Sequence, residues 1–277
     1  MKSHPHYETT ETSGVSFKKK KSFGQNFLKS KEALLMMCTA GEIEAKDTIV
    51  EIGPGKGVLT EKLLERGEKV IAIEKDTDLI PFLSEKFNTE IKTGKLILVH
   101  DDILSFQPEK HALTENSYKI IANIPYNITG AIIKRFLSET ERPERMVLLV
   151  QKEVAERIVA RDGKESILSL SVKAYGTPTY KMKVGKRFFS PAPKVDSAII
   201  AITGIGMHHF KTKKEEGHFF DVIKAGFSHK RKVLRKNLEE IAPLARIDSV
   251  FKELSLDEKI RAEDVPFTTW ILLARAI

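Results

Sequence analysis

The chain has 277 residues, 41% of them hydrophobic and 30% charged, enough apolar content for a sizeable core and against wholesale disorder. Lys and Arg number 46 against 38 Asp and Glu, and this net +8 permits an anionic polymer as partner. Cys38 is the single cysteine, so no internal disulfide, thiolate zinc cluster or CxxC redox pair is available. No segment reaches the roughly 20 apolar residues of a membrane span, and residues 1–22 lack the apolar run of a signal sequence, so a cytoplasmic protein is expected.

The basic surplus is uneven: +3 over residues 1–22, −2 over 23–180, +4 over 181–203 and +3 over 204–277. A polyanion touching the periphery of a near-neutral core would use that distribution. Residues 1–22, with Lys18 to Lys21 in a row, read as a basic flexible tail.

From Ser30 onward, short apolar runs alternate with helix-period segments. Ser30 reads as the N-cap of a helix to Ala40, with Gly41 just past its end. Thr48–Ile52, Lys69–Glu74, Lys95–His100, Tyr118–Ala122 and Met146–Gln151 read as strands. Helices are expected after the glycine turn that follows Ile52, over Asp76–Phe87 and near Ala131–Leu137. Strands alternating with crossover helices predict a doubly wound, mostly parallel α/β sheet. After Gln151, helices are expected over Lys152–Arg161 and Ser166–Ala174. Strand-like runs follow at Tyr180–Val184 and Val195–Thr203, paired antiparallel at the sheet edge and separated by an aromatic, proline-rich loop, Phe188–Lys194. Gly204 and Gly206 mark a boundary, so residues 23–203 form one domain and 204–277 a small all-helical one.

The turn Glu51-Ile52-Gly53-Pro54-Gly55-Lys56-Gly57 follows the first long strand, and Glu74 ends the next one, 21 residues after Gly53. Glycines allow a tight turn and close approach of a ligand to the backbone, and an acidic residue at the second strand end suits ribose hydroxyls. The spacing is GxGxG rather than the GxGxxG of dinucleotide sites, and Glu51 suits a cationic ligand better than a pyrophosphate, which favours a methyl-donor cofactor over NAD. Asp101 and Asp102 follow the third strand, where either carboxylate could accept from an adenine amino group.

Asn123-Ile124-Pro125-Tyr126 follows the fourth strand. An exocyclic base amine is a poor nucleophile because its lone pair is delocalised into the ring. The Asn123 side-chain oxygen, together with the Ile124 or Pro125 carbonyl, can polarise it, and Tyr126 can stack on the base, worth about 1–3 kcal/mol.

In these residues the chain resembles the rRNA adenine N6,N6-dimethyltransferase family, most closely its KsgA branch. The matching elements, in family order, are Phe23-Gly24-Gln25-Asn26-Phe27-Leu28, Val50 to Gly55, Glu74, Asp102, Asn123 to Tyr126, Gln151-Lys152-Glu153 and Phe189 to Ser197. The resemblance implies a Rossmann-like class I methyltransferase fold with S-adenosylmethionine as donor. Asn26 and Leu28 would close over the donor, with Gly53 beneath it, Glu74 on its ribose, Asp102 on its adenine and Asn123 between donor and target. Tyr126 and Phe189 would flank the target adenine. The implied substrate is a pair of adjacent adenosines in the 3′-terminal hairpin of small-subunit rRNA, within an immature small subunit. The alternatives are an Erm-type enzyme acting on large-subunit rRNA and a non-catalytic assembly factor.

Lys232, Arg235 and Lys236 are expected to fan from one helix toward phosphates while Val233 and Leu234 face the core, with Lys186 and Arg187 adding cations on another segment. The histidines show no ligand spacing, so no metal site is expected, and the protein is read as a monomer.

Overall fold

The computed structural model describes residues 26–229 and 231–277. The basic tail with Lys18–Lys21 and the Phe23-Gly24-Gln25 part of the first motif lie outside the described residues.

The strands are β1 (Phe27–Leu28), β2 (Thr48–Ile52), β3 (Lys69–Glu74), β4 (Leu96–His100), β5 (Tyr118–Asn123), β6 (Arg145–Gln151), β7 (Thr177–Val184), β8 (Phe189–Ser190) and β9 (Ser197–Thr203). Seven of them form one sheet in the order β4-β3-β2-β5-β6-β9-β7. The first five of these are parallel, and β9 and β7 add an antiparallel edge, as the sequence predicts. Successive residues of the central strands face opposite sides, the two-residue period of a strand buried on both faces. Ile49, Ile121, Val147 and Ile199 pack with α1 (Lys31–Gly41) and α2 (Val58–Leu64) in one apolar cluster. Val50, Ile120, Met146 and Ile200 pack on the other side in a second cluster that includes residues of α5 (Thr129–Ser138), α6 (Lys152–Ile158) and α7 (Ile167–Lys173).

The sheet reverses its direction of growth between β2 and β5. These neighbours pair only from Thr48↔Tyr118 to Val50↔Ile120, although β2 runs on to Ile52 and β5 to Asn123. Their carboxyl ends therefore part, and a crevice opens at the switch point, where open α/β sheets bind ligands.

Ser30 caps α1 through its side chain, which accepts from the Ala33 N–H. The helix runs one residue further than the glycine signal predicts, because Glu42, at φ 45°, takes the left-handed position after it. The helix expected over Asp76–Phe87 begins only at Leu79. The Asp76 carboxylate accepts from the Asp78 N–H and holds a turn there, and α3 (Leu79–Lys86) is followed by a separate short α4 (Asn88–Lys92). The segment expected to be a plain loop contains β8, which pairs with β1 as Leu28↔Phe189 and Phe27↔Ser190.

Beyond Gly204 come α8 (Lys213–Gly226), α9 (Leu234–Leu238), α10 (Leu244–Glu253) and α11 (Phe267–Ala276), with no strand among the described residues. Trp270, fully buried, stacks on Phe227, and a carbon of its ring lies 2.4 Å from where a Cβ on Gly226 would stand. The apolar cluster of the second sheet face continues into these helices. Across the junction, the Tyr175 hydroxyl donates to the buried Glu216 of α8.

Candidate active site

A cavity of about 240 Å³ fills the crevice at the switch point. Its lining comes from the ends of β2, β3, β4 and β5 and from β1, and includes Asn26, Leu28, Gly53, Glu74, Asp102, Asn123, Pro125 and Tyr126. All the predicted cofactor residues, and all but one of the predicted catalytic ones, are thus brought together. Asp101 also lines it.

Backbone geometry explains the glycine turn. Gly53 has φ +64°, and a Cβ there would meet nothing within 4 Å, so its open side forms a bare floor to the cavity. Gly57 is needed for a different reason: at φ +73° it lies against Phe87, whose ring carbon would be 2.4 Å from an added Cβ.

Glu74 is 6% exposed, and its two carboxylate oxygens accept from the Gly55 N–H at 3.1 Å and the Asp76 N–H at 2.8 Å. Burial pushes its carboxyl above the ordinary range, and these backbone donors pull against that. The side chain is thereby fixed at the cavity edge with lone pairs left for further donors. Glu51 is 1% exposed, and burial pushes its carboxyl up to about 8, against the pull of the Thr60 hydroxyl, which donates to it at 2.6 Å. Asp102 accepts from Lys75 at 2.6 Å and from the Leu104 N–H at 3.0 Å, which holds it below the usual carboxylate range. Asp101 accepts from the Asp102 N–H at 2.7 Å.

Asn123 ends β5. Its side-chain NH₂ donates to the Asn26 carbonyl at 3.0 Å. That bond fixes which way the amide faces and commits one of its donors, leaving the amide oxygen as an acceptor. The Pro125 carbonyl accepts from the Ile128 N–H at 3.3 Å, closing the turn that carries Tyr126. Tyr126 is half-buried, and burial raises its phenol above the ordinary range.

Phe189 is the exception. It is 4% exposed, packs in the apolar cluster that includes Leu28, and is not among the residues lining the cavity. Its strand pairs with β1, and so Phe189 braces the cavity wall where it was expected to flank a base. The half-buried ring in this segment is Phe188, with the Arg187 guanidinium 5.0 Å from its centroid. Lys186 and Arg187 are exposed beside it.

The basic C-terminal segment also differs from expectation. Only Leu234–Leu238 is helical, so Lys232 stands on the preceding turn, and Val233 is half-buried while Leu234 is fully buried. Arg235 is held by Asp248 through two bonds of 2.5 and 2.7 Å and is not a free cation, whereas Lys232 and Lys236 are exposed. Sequence reading missed the pairing because Asp248 lies on the next helix, α10. Among the described residues no group of His, Cys, Asp or Glu is arranged to hold a metal, and no helix is long and apolar enough to cross a membrane.

A parallel sheet reversed at β2/β5, a bare glycine floor and an acidic residue at the next strand end together define a Rossmann-like fold whose crevice suits an adenosine-type cofactor. In backbone the chain resembles the 23S rRNA methyltransferase ErmE (TM-score 0.76, 23% identity, 91% of this chain and 99% of that one). It also resembles a dimethyladenosine transferase from Plasmodium falciparum (TM-score 0.75, 26% identity, 89% and 95%). The family model described as ribosomal RNA adenine dimethylase matches residues 16–277. Proteins named ribosomal RNA small subunit methyltransferase A are similar along nearly the whole chain. That of Dehalococcoides mccartyi is 39% identical over 93% of this chain and 88% of its own, and that of Fusobacterium nucleatum is 37% identical over 94% and 98%. The chain belongs to the ribosomal RNA adenine dimethylase family, enzymes of the class that takes its methyl groups from S-adenosylmethionine.

Proposed function

We propose that this enzyme dimethylates N6 of two adjacent adenosines in the 3′-terminal hairpin of small-subunit rRNA, on an immature small subunit in the cytoplasm, and that it works as a monomer. The observation that carries the reading is the Asn123 amide, which commits its NH₂ to the Asn26 carbonyl and lines one cavity together with Glu74, Asp102, Pro125 and Tyr126. The names of the Dehalococcoides mccartyi and Fusobacterium nucleatum relatives favour the small subunit over an Erm-type target.

The cavity residues fit S-adenosylmethionine. Gly53 leaves the floor open, Glu74 has lone pairs for the ribose hydroxyls, and Asp102, kept ionised by Lys75, is the acceptor for the adenine amine, in preference to Asp101. Asn26 and Leu28 close the side that β1 forms. The donor supplies an electrophilic methyl group on a sulfonium.

The chain's own part is positioning. The Asn123 oxygen and the Pro125 carbonyl accept from the N6 amine and stabilise the positive charge that builds as it alkylates, while Tyr126 stacks on the extruded base. Phe189 acts one step removed, through β1. Lys186 and Arg187 on the catalytic unit, with Lys232 and Lys236 on the helical unit 204–277, are the phosphate contacts.

The test is methyl transfer from labelled donor to small subunits taken from cells lacking the enzyme, compared with naked large-subunit rRNA, with mass analysis of the products. Dimethyladenosine in the small-subunit hairpin alone is expected. Label in large-subunit RNA would favour the Erm-type reading, and no transfer at all the assembly-factor reading.

A further inference from the structure

We infer that Ser197 is a positioning residue for the reaction: its buried hydroxyl holds the Tyr126 ring at the angle at which the target adenine stacks. The inference rests on the reading of Tyr126 as the base-stacking ring. The Tyr126 phenol oxygen lies 2.6 Å from the Ser197 hydroxyl oxygen. Tyr126 sits on a short 3₁₀ turn at the cavity mouth, where the backbone alone leaves the ring free to tilt about its side-chain torsions. A hydrogen bond at the far end of the ring removes that freedom.

Ser197 is suited to be the fixed end. It is fully buried and opens β9, which lies between β6 and β7, and it is in register with Gln151 on one side and Val184 on the other. Asp196 beside it ties down the approach: its carboxylate accepts from the Lys186 N–H at 3.0 Å and pairs with Lys183 at 2.9 Å, and its carbonyl accepts from the Lys152 N–H at 3.0 Å. The segment that carries the exposed Lys186 and Arg187 is therefore anchored one residue before the hydroxyl that holds Tyr126. RNA seated on those cations and the stacking ring share one rigid mount.

The experiment is a double-mutant cycle with Ser197→Ala and Tyr126→Phe, which remove the same hydrogen bond from opposite ends. Steady-state methylation of small subunits is combined with fluorescence of a hairpin RNA carrying 2-aminopurine at the target position. Each single variant is expected to lower kcat about fivefold, the size of one neutral hydrogen bond, with donor KM and melting temperature little changed. The double variant should fall no further than the singles, and the stacking quench of 2-aminopurine should weaken alike in all three. Multiplying effects, or an unchanged quench and kcat in Ser197→Ala, would overturn the inference. So would a Ser197→Ala defect that follows lost donor affinity or a lower melting temperature while Tyr126→Phe stays wild-type. Absence of any quench in the wild-type protein would instead overturn the base-stacking role of Tyr126, and the inference with it.

Discussion

The cavity at the switch point and the basic face of the C-terminal helices handle charge in opposite ways. In the cavity, Glu74 and Asp102 are held by backbone N–H groups or a neighbouring lysine, and Asn123 by a backbone carbonyl. Each is fixed before any ligand arrives, so little reorganisation is needed on binding. In and before α9, Lys232 and Lys236 are exposed, while Arg235 between them is held in a rigid geometry by Asp248. The difference suits the two ligands of the proposed function. A small donor and a single base need fixed partners, whereas a phosphate backbone needs positive charge within reach and tolerates motion.

The sharpest break of the pre-organised side is Asn123→Ala. It leaves Tyr126 and the Pro125 carbonyl in place but removes the acceptor proposed for the developing charge on N6, a loss that often costs about 10²–10³-fold in rate. Both transfers should slow while RNA affinity stays close to wild type. Single-turnover methylation of small-subunit particles decides it: near-normal rates for both transfers would remove Asn123 from the mechanism.

Glu74→Ala comes next. Two ribose hydrogen bonds to a charged group are lost, about 1.5–3 kcal/mol of donor binding, and RNA binding without donor should be unaffected. Calorimetry with S-adenosylmethionine checks both halves, and unaltered donor affinity would take Glu74 out of the site.

The cavity was legible in the sequence because its residues are strand ends. Once β2, β3 and β5 are recognised as parallel neighbours, Gly53, Glu74 and Asn123 must emerge on the same edge, and local register alone delivers them. What was not legible depends on contacts between distant segments. Phe189 is buried because β8 pairs with β1, two strands of two residues each that carry no periodic signal. Arg235 loses its freedom to a carboxylate on another helix. Glu51 reads as an anion suited to a cationic ligand, yet its near-complete burial makes the protonated form the favoured one up to about pH 8.

That last point gives a pH test. The carboxyl of Glu51 rises from 4.5 to about 8 on folding, so the native state holds a proton that the unfolded chain releases. The stability this contributes is complete below about 4.5 and is lost as pH climbs toward 8. Glu51→Gln keeps an acceptor for Thr60 without the ionisation, so its melting temperature should gain on wild type steadily from pH 5 to pH 8. A cationic donor in the same cavity favours the ionised form, so its binding near neutral pH should release more protons in wild type than in the variant. Calorimetry in buffers of different ionisation enthalpy measures that release. Parallel melting curves at all pH values would mean that Glu51 does not hold its proton in the fold.

The smallest expected effects lie on the helical face, and they separate free cations from paired ones. Lys232→Ala with Lys236→Ala should reduce the slope of log affinity for RNA against log salt by about 0.7–0.9 per lost phosphate contact and leave donor affinity alone. Arg235→Ala should barely move that slope, because its guanidinium already faces Asp248. Its cost should instead appear as stability, of the order of 0.2–1 kcal/mol for a surface pair. Asp248→Ala then supplies the discriminating control: it frees Arg235, so the salt slope should steepen above wild type by up to one contact. If Arg235→Ala flattens the slope as much as either lysine variant does, the ion pair gives way to phosphate when RNA binds, and the pairing with Asp248 is a resting state that the substrate displaces.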